Sequence, residues 1–121
     1  MYMQIAGDLT KKKCVPCEGG VKPLTPDEYG AFIRAELSGW EDVDDPSASS
    51  GQGKRIEKDY KFKNFKEALY FVNKVGEIAE SEGHHPDINL YGWNKVKLSL
   101  TTHAIGGLSE NDFILASKID G

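Results

Sequence analysis

The segment from Asn64 to Glu82 constrains the fold more than any other part of the chain. Ala68, Phe71, Val72, Val75, Ile78 and Ala79 recur along one stripe at helical spacing. Asn64 supplies an N-cap, Glu67 follows three residues on, and Gly83 offers a left-handed stop. A one-sided helix has to lay its stripe against another apolar surface, and the flanking segments provide one. Before it, Ile56, Tyr60 and Phe62 alternate with Glu57, Lys61 and Lys63, Lys58 being the exception on the apolar side. After it, Lys95-Val96-Lys97-Leu98-Ser99-Leu100 alternates without exception. Both patterns predict half-buried strands. Weaker strands at Trp40 to Val43 and Ile88 to Tyr91 complete two hairpins.

Two more helices frame these elements. Thr25-Pro26-Asp27-Glu28 combines an N-cap hydroxyl, a first-turn proline and a glutamate three residues after the cap, ahead of Tyr29, Phe32, Ile33 and Leu37. Ser109-Glu110-Asn111-Asp112 opens the last helix through Phe113, Ile114, Ala116 and Ile119. The expected fold is α+β, a single domain with a four-stranded antiparallel sheet and three helices packed on one face, in the order α-β-β-α-β-β-α. Residues 1–20 read as an irregular N-terminal arm and 21–121 as the domain, while Asp44 to Gly53 is all turn formers and small polar residues and reads as a mobile loop.

With 121 residues the chain has room for one domain, and 39% hydrophobic with 28% charged residues is ordinary globular composition. A formal net charge of −4 disfavours a phosphate backbone as partner, so no nucleic acid is expected. No apolar run approaches the roughly 20 residues that cross a bilayer, and no signal peptide is visible; the expectation is no membrane and a cytoplasmic location.

All three histidines, His84, His85 and His103, fall within a twenty-residue window, each at an element boundary where a rigid frame can assemble a site. Strand parity places His103 on the face of Lys97 and Ser99, opposite Val96, Leu98 and Leu100, so that it looks into solvent or a cleft. His84 follows a helix C-terminus, with Glu80 one turn earlier, and both favour an imidazolium. Such a group exchanges protons near neutrality as a general acid or base. A metal site could draw on the histidines with Asp87, Asp112 or Glu80. However, adjacent His84 and His85 point to opposite faces, and no His-x-x-x-His or Glu-x-x-His pair sits within a helix, Glu82 and His85 being separated by the Gly83 stop, so no metal is expected. Asp112, three residues after Ser109, has an ordinary capping duty. Tyr91 and Trp93 could wall a pocket, although core packing is the commoner fate of a tryptophan beside a strand. Cys14-Val15-Pro16-Cys17 suits a zinc knuckle or a redox couple by spacing, but two further ligands or a strand-to-helix setting would be needed; exposed or locally packed thiols are expected.

The stretch from Glu80 through His84-His85-Pro86, Trp93 and His103 to Asp112 resembles the signature of the pterin-4a-carbinolamine dehydratases. Its intervals are +4 from Glu80 to His84, +7 from Pro86 to Trp93, +10 to His103 and +9 to Asp112. Phe62-Lys63-Asn64-Phe65, Asn94-Lys95-Val96 and Gly107-Leu108-Ser109 are also similar to family segments, and the resemblance runs over roughly residues 20 to 120. The Cys14 to Gly20 arm looks like that of some microbial and plant members. The Asp44 to Gly53 loop is longer than in the compact animal form, and the connection from Pro86 to Asn94 is one residue longer.

The resemblance implies dehydration of 4a-hydroxytetrahydropterin to quinonoid dihydropterin, which recycles the cofactor of aromatic amino acid hydroxylases, with no bound cofactor. It implies His84 and His103 as the acid–base pair, His85 as a substrate holder, and Glu80 and Asp112 as residues that orient imidazoles. Gly83, His84, His85, Pro86, Thr101, Thr102, His103 and Ala104 would contact the pterin. It also implies a homodimer or homotetramer, with the sheet edge of the Val96 to Leu100 region as a pairing surface. Some members of the family act instead as a dimerisation cofactor or an assembly factor, so a non-catalytic interaction protein on the same fold is the alternative.

Overall fold

The computed structural model describes residues 23–37, 39–45 and 54–120. The expected arm, with Cys14 and Cys17, and most of the expected mobile loop lie outside the described residues. Helix α1 (Pro26–Glu36) begins with the expected capping box: Thr25 Oγ1 accepts from the Glu28 N–H at 3.3 Å, and Glu28 Oε1 accepts from the Thr25 N–H at 2.8 Å. Helix α2 (Phe65–Glu82) begins where Asn64 Oδ1 accepts from the Glu67 N–H at 2.8 Å and ends at Gly83, whose φ of 66° is left-handed. Helix α3 covers Glu110–Asp120.

Four antiparallel strands, β1 (Glu41–Asp44), β2 (Lys54–Lys61), β3 (Asp87–Tyr91) and β4 (Lys95–Leu100), lie in the order β1-β2-β4-β3. Register places Ile56 opposite Leu100, Tyr60 opposite Val96 and Leu90 opposite Val96, which gathers the apolar residues on one face. That face packs in one core with Tyr29 from α1, Ala68, Val75 and Ala79 from α2, and Phe113, Ile114 and Leu115 from α3. The opposite face pairs Glu57 with Ser99, Asp59 with Lys97 and Asp87 with Ser99. Among the described residues no helix covers these polar side chains, so a site can open there.

The expected fold class holds, and the structure revises two expectations within it. Val96 to Leu100 is not a sheet edge: β4 hydrogen-bonds to β2 on one side and β3 on the other, since the strand with the most regular burial belongs at the centre. Among the described residues the outer strands are β1 and β3. Trp93 is not in the core but 62% exposed, because Gly92 and Trp93 both take positive φ, 55° and 56°, in the turn from β3 to β4 and throw the indole outward. Asn94 pins this turn by donating from Nδ2 to the Phe62 carbonyl at 3.0 Å. The buried tryptophan is Trp40, whose indole N–H donates to Asp120 Oδ2 at 2.8 Å. Asp120 also explains Lys58, the exception to alternation in β2, by accepting from its Nζ at 3.1 Å and from the Tyr60 hydroxyl at 2.6 Å. Helix α3 is buried almost all round, with Asn111 and Asp112 inside as well as the apolar residues.

Candidate active site

The end of α2 determines where two of the histidines go. Gly83 reverses the chain while the His84 N–H still donates to the Ala79 carbonyl at 3.3 Å, so the next two side chains leave on opposite sides. His84 turns inward, only 14% exposed, and its Nε2 lies 2.6 Å from Asp112 Oδ1. His85 turns outward to Glu80, Nε2 to Oε1 2.7 Å, with both side chains well exposed. The acidic partner of His84 is therefore Asp112, and the glutamate one turn before it serves its neighbour. In water the His85–Glu80 pair contributes little to stability, whereas a short contact to a buried carboxylate is worth more.

Asp112 is completely buried at the start of α3 and performs its expected capping duty: its Oδ2 accepts from the Ser109 N–H at 2.9 Å. The same oxygen accepts from the Thr102 hydroxyl at 2.9 Å. One carboxylate thus joins the start of α3, the end of β4 and the end of α2. A link from capping to His84 is not visible in sequence, because a capping box and an imidazole partner use the same residue at the same spacing.

Past Leu100 the chain runs through Thr101 and Thr102 into a 3₁₀ turn, His103–Ile105, closed by the left-handed Gly106. Parity survives to the beginning of the turn. His103 is exposed and lines a recess with His85, Thr101, Ser99 and Asp87, at one end of the polar sheet face. The β1–β2 hairpin contributes Asp45 and Arg55 to the same recess. Arg55 Nη2 lies 2.8 Å from Glu57 and Nη1 3.9 Å from Asp45, while its buried Nε meets no hydrogen-bond partner. Sequence reasoning missed Asp45 and Arg55, since only the register that sets Ile56 opposite Leu100 brings the hairpin beside Thr101.

Of the expected site residues, His85, Thr101 and His103 line the recess; His84 stands behind it, joined to the His103 segment through Asp112 and Thr102. Gly83, Pro86, Thr102 and Ala104 are not part of the lining, and Thr102 is buried with its hydroxyl directed at Asp112. Among the described residues no group of three His, Cys, Asp or Glu side chains is close enough to hold a metal ion, and no helix is long and apolar enough to cross a membrane. A broader trough runs beside α2 over Val72, Gly76 and Ile88. The titratable residues of its lining are Glu77 and Glu80, whereas the recess holds His85 and His103.

Clustered imidazoles at the end of an open polar sheet face, with a buried carboxylate behind one of them, define a site equipped for proton transfer to a small ligand. Residues 22–121 match the family model described as pterin 4 alpha carbinolamine dehydratase, and the chain belongs to that family. A provisionally named pterin-4-alpha-carbinolamine dehydratase of Alkaliphilus metalliredigens is 46% identical over 113 residues, covering 93% of this chain and 94% of the relative. The crystal structure of a transcriptional coactivator/pterin dehydratase from Brucella melitensis aligns with a TM-score of 0.67 at 34% identity, over 82% of this chain and 96% of that one. A pterin dehydratase-like protein identified as a RuBisCO assembly factor in the alpha-carboxysome aligns with a TM-score of 0.53 at 22% identity, over 67% and 84% of the two chains, and shares the fold alone.

Proposed function

We propose that the protein dehydrates 4a-hydroxytetrahydropterin, with His84 and His103 exchanging the protons and His85 holding the substrate. The C4a–O bond breaks as the hydroxyl accepts a proton and leaves as water. N5 gives up its proton, and the electron pair of that N–H bond forms the C4a=N5 double bond of quinonoid dihydropterin. Protons in and out balance, so the reaction needs two groups that gain and lose protons near neutral pH and no redox cofactor.

One observation carries this reading: a fully buried carboxylate, Asp112, fixes His84 beside the segment that delivers His103 and Thr101 to the recess. Glu80 orients His85 in the same way from the exposed side. Recycling of the cofactor of an aromatic amino acid hydroxylase follows from this chemistry as the physiological role. Self-association into dimers or tetramers has the β3 edge and the outer face of α2 available to it.

The test is the rate at which the purified protein accelerates loss of water from freshly generated 4a-hydroxytetrahydropterin, followed by absorbance. His84→Ala and His103→Ala should each lower turnover by about two orders of magnitude with the fold intact, the usual scale for a general acid–base group. Wild-type levels of turnover in both variants would overturn the assignment. Exposed Phe65, Leu69 and Tyr70 on α2 favour a second reading, a protein-binding role on the same fold. Failure of the wild-type protein to accelerate the reaction would direct attention to it.

A further inference from the structure

Which nitrogen of His84 meets the substrate is set by residues that do not touch it. Ser109 and Asn111 provide main-chain N–H groups, which can only donate. The Ser109 N–H points at Asp112 Oδ2 (2.9 Å) and the Asn111 N–H at Ser109 Oγ (3.2 Å). Thr102 Oγ1 has one proton and donates it to Asp112 Oδ2 at 2.9 Å. In the 2.8 Å contact between Thr102 Oγ1 and Ser109 Oγ, the serine must therefore be the donor. The chain has one direction, from Asn111 N–H through the Ser109 and Thr102 hydroxyls to Asp112.

Two donors converge on Oδ2, which leaves no room for a proton on that oxygen. Its other oxygen, Oδ1, meets His84 Nε2 at 2.6 Å, a distance at which one partner has to supply a proton. We propose that Thr102 and Ser109 are positioning residues that, through Asp112, keep the proton of neutral His84 on Nε2 and leave Nδ1 as the nitrogen that exchanges protons with the substrate. No group among the described residues hydrogen-bonds to Nδ1, and the ring retains 14% exposure. This gives Thr102 a different duty from the substrate contact that the family resemblance implies for it. A side chain 5% exposed with its only proton committed inward has none left for a ligand.

The inference rests on the proposed dehydratase reading, so its test has two independent arms. The first is kinetic. Thr102→Val keeps the shape but deletes the hydroxyl, and kcat should fall about 10- to 100-fold, the scale seen when a partner behind a functional imidazole is removed, with KM within about twofold. Thr102→Ser should restore kcat to within about threefold. A raised KM with unchanged kcat in Thr102→Val would mean that the hydroxyl contacts substrate, and would overturn the proposal. The second arm needs no turnover: ¹⁵N–¹H correlation of the imidazole nitrogens in wild type, at the alkaline plateau of the histidine signals, with His84 assigned by comparison with His84→Gln. A single tautomer protonated at Nε2 is expected; a proton on Nδ1, or exchange-averaged nitrogens, overturns the proposal. If wild type proves inactive as a dehydratase, the functional reading falls while the tautomer measurement still decides this one.

Discussion

Replacing Asp112 by asparagine separates the structural and chemical duties of one buried side chain. Asp112 accepts three hydrogen bonds, from the Ser109 N–H, the Thr102 hydroxyl and His84 Nε2, and it has no exposure to water. The asparagine carbonyl can take the place of Oδ2 and keep the first two. They then become neutral bonds, each weaker by about 1 kcal/mol than its charge-assisted counterpart. Folding stability should fall by about 2 kcal/mol, which for a chain of this size is roughly 5–10 °C in Tm. The amide NH₂ then faces His84 and forces the imidazole to turn its lone pair inward on Nε2, moving the proton to Nδ1. Turnover should fall far more than stability, by about two to four orders of magnitude, because the ring presents the wrong tautomer, as in the Asp→Asn variant of serine proteases. Asp112→Ala, by contrast, orphans all three donors at about 1–3 kcal/mol each and should leave little folded protein. The assay pairs thermal unfolding by circular dichroism with initial dehydration rates at least 15 °C below the variant's midpoint, a margin that exceeds the expected shift in Tm. Asp112→Asn turning over within about threefold of wild type would refute the idea that the carboxylate sets the state of His84.

Asp120 and Tyr60 supply two further tests on the helix-covered side of the sheet. Asp120→Ala leaves the Trp40 indole N–H buried without its acceptor, so unfolding free energy should drop by about 1–3 kcal/mol, while Lys58 and Tyr60 can turn to water. In a denaturant-unfolding double-mutant cycle with Trp40→Phe, the pair of changes should cost less than their sum; strict additivity would show that the contact carries no coupling. Burial, reinforced by the hydrogen bond to the Asp120 carboxylate, pushes the Tyr60 hydroxyl well above the usual tyrosine range. The unfolded chain releases that proton near pH 10 and the folded chain does not. The stabilisation is therefore complete below about pH 10 and is lost as pH rises beyond it. Tyr29 and Tyr91 are raised as well, so Tyr60 is read as the difference in phenolate absorbance between wild type and Tyr60→Phe, which should show no ionisation in the normal range; a Tyr60 that titrates normally would contradict the packing described.

The site owes its accessibility to an imbalance in the fold. The three described helices lie on the apolar face of the sheet, and among the described residues the polar face carries Glu57, Asp59, Asp87, Lys97 and Ser99. His84 belongs to the covered side through Asp112, while His85 and His103 open to the other. A histidine pair straddling the end of a sheet can hold one imidazole rigid and dry and leave another wet. Such a difference in surroundings allows two chemically identical groups to take different protonation roles.

Local order was legible in the sequence because it is written in neighbouring residues. The capping box at Thr25, the Asn64 cap, the Gly83 stop and the alternation of Val96, Leu98 and Leu100 all act over one turn or one pleat, and each appears where the spacing puts it. The parity that turns His103 towards the polar face belongs to the same class. Strand order, register and helix environment are decided by residues far apart in the chain. Thus β4 lies at the centre rather than the edge, Trp93 is expelled while Trp40 is buried, and Lys58 finds Asp120 across 62 positions. The same holds at the site: the histidines could be picked out by their clustering and the family resemblance pointed to Glu80 and Asp112 as the carboxylates that orient imidazoles, but which of the two partners His84 was not legible. Glu80 is near it in sequence, and Asp112, 28 residues away, is near it in space. Proximity in sequence determines local geometry, whereas the partner of a buried charge is chosen by whichever elements the hydrophobic core forces together.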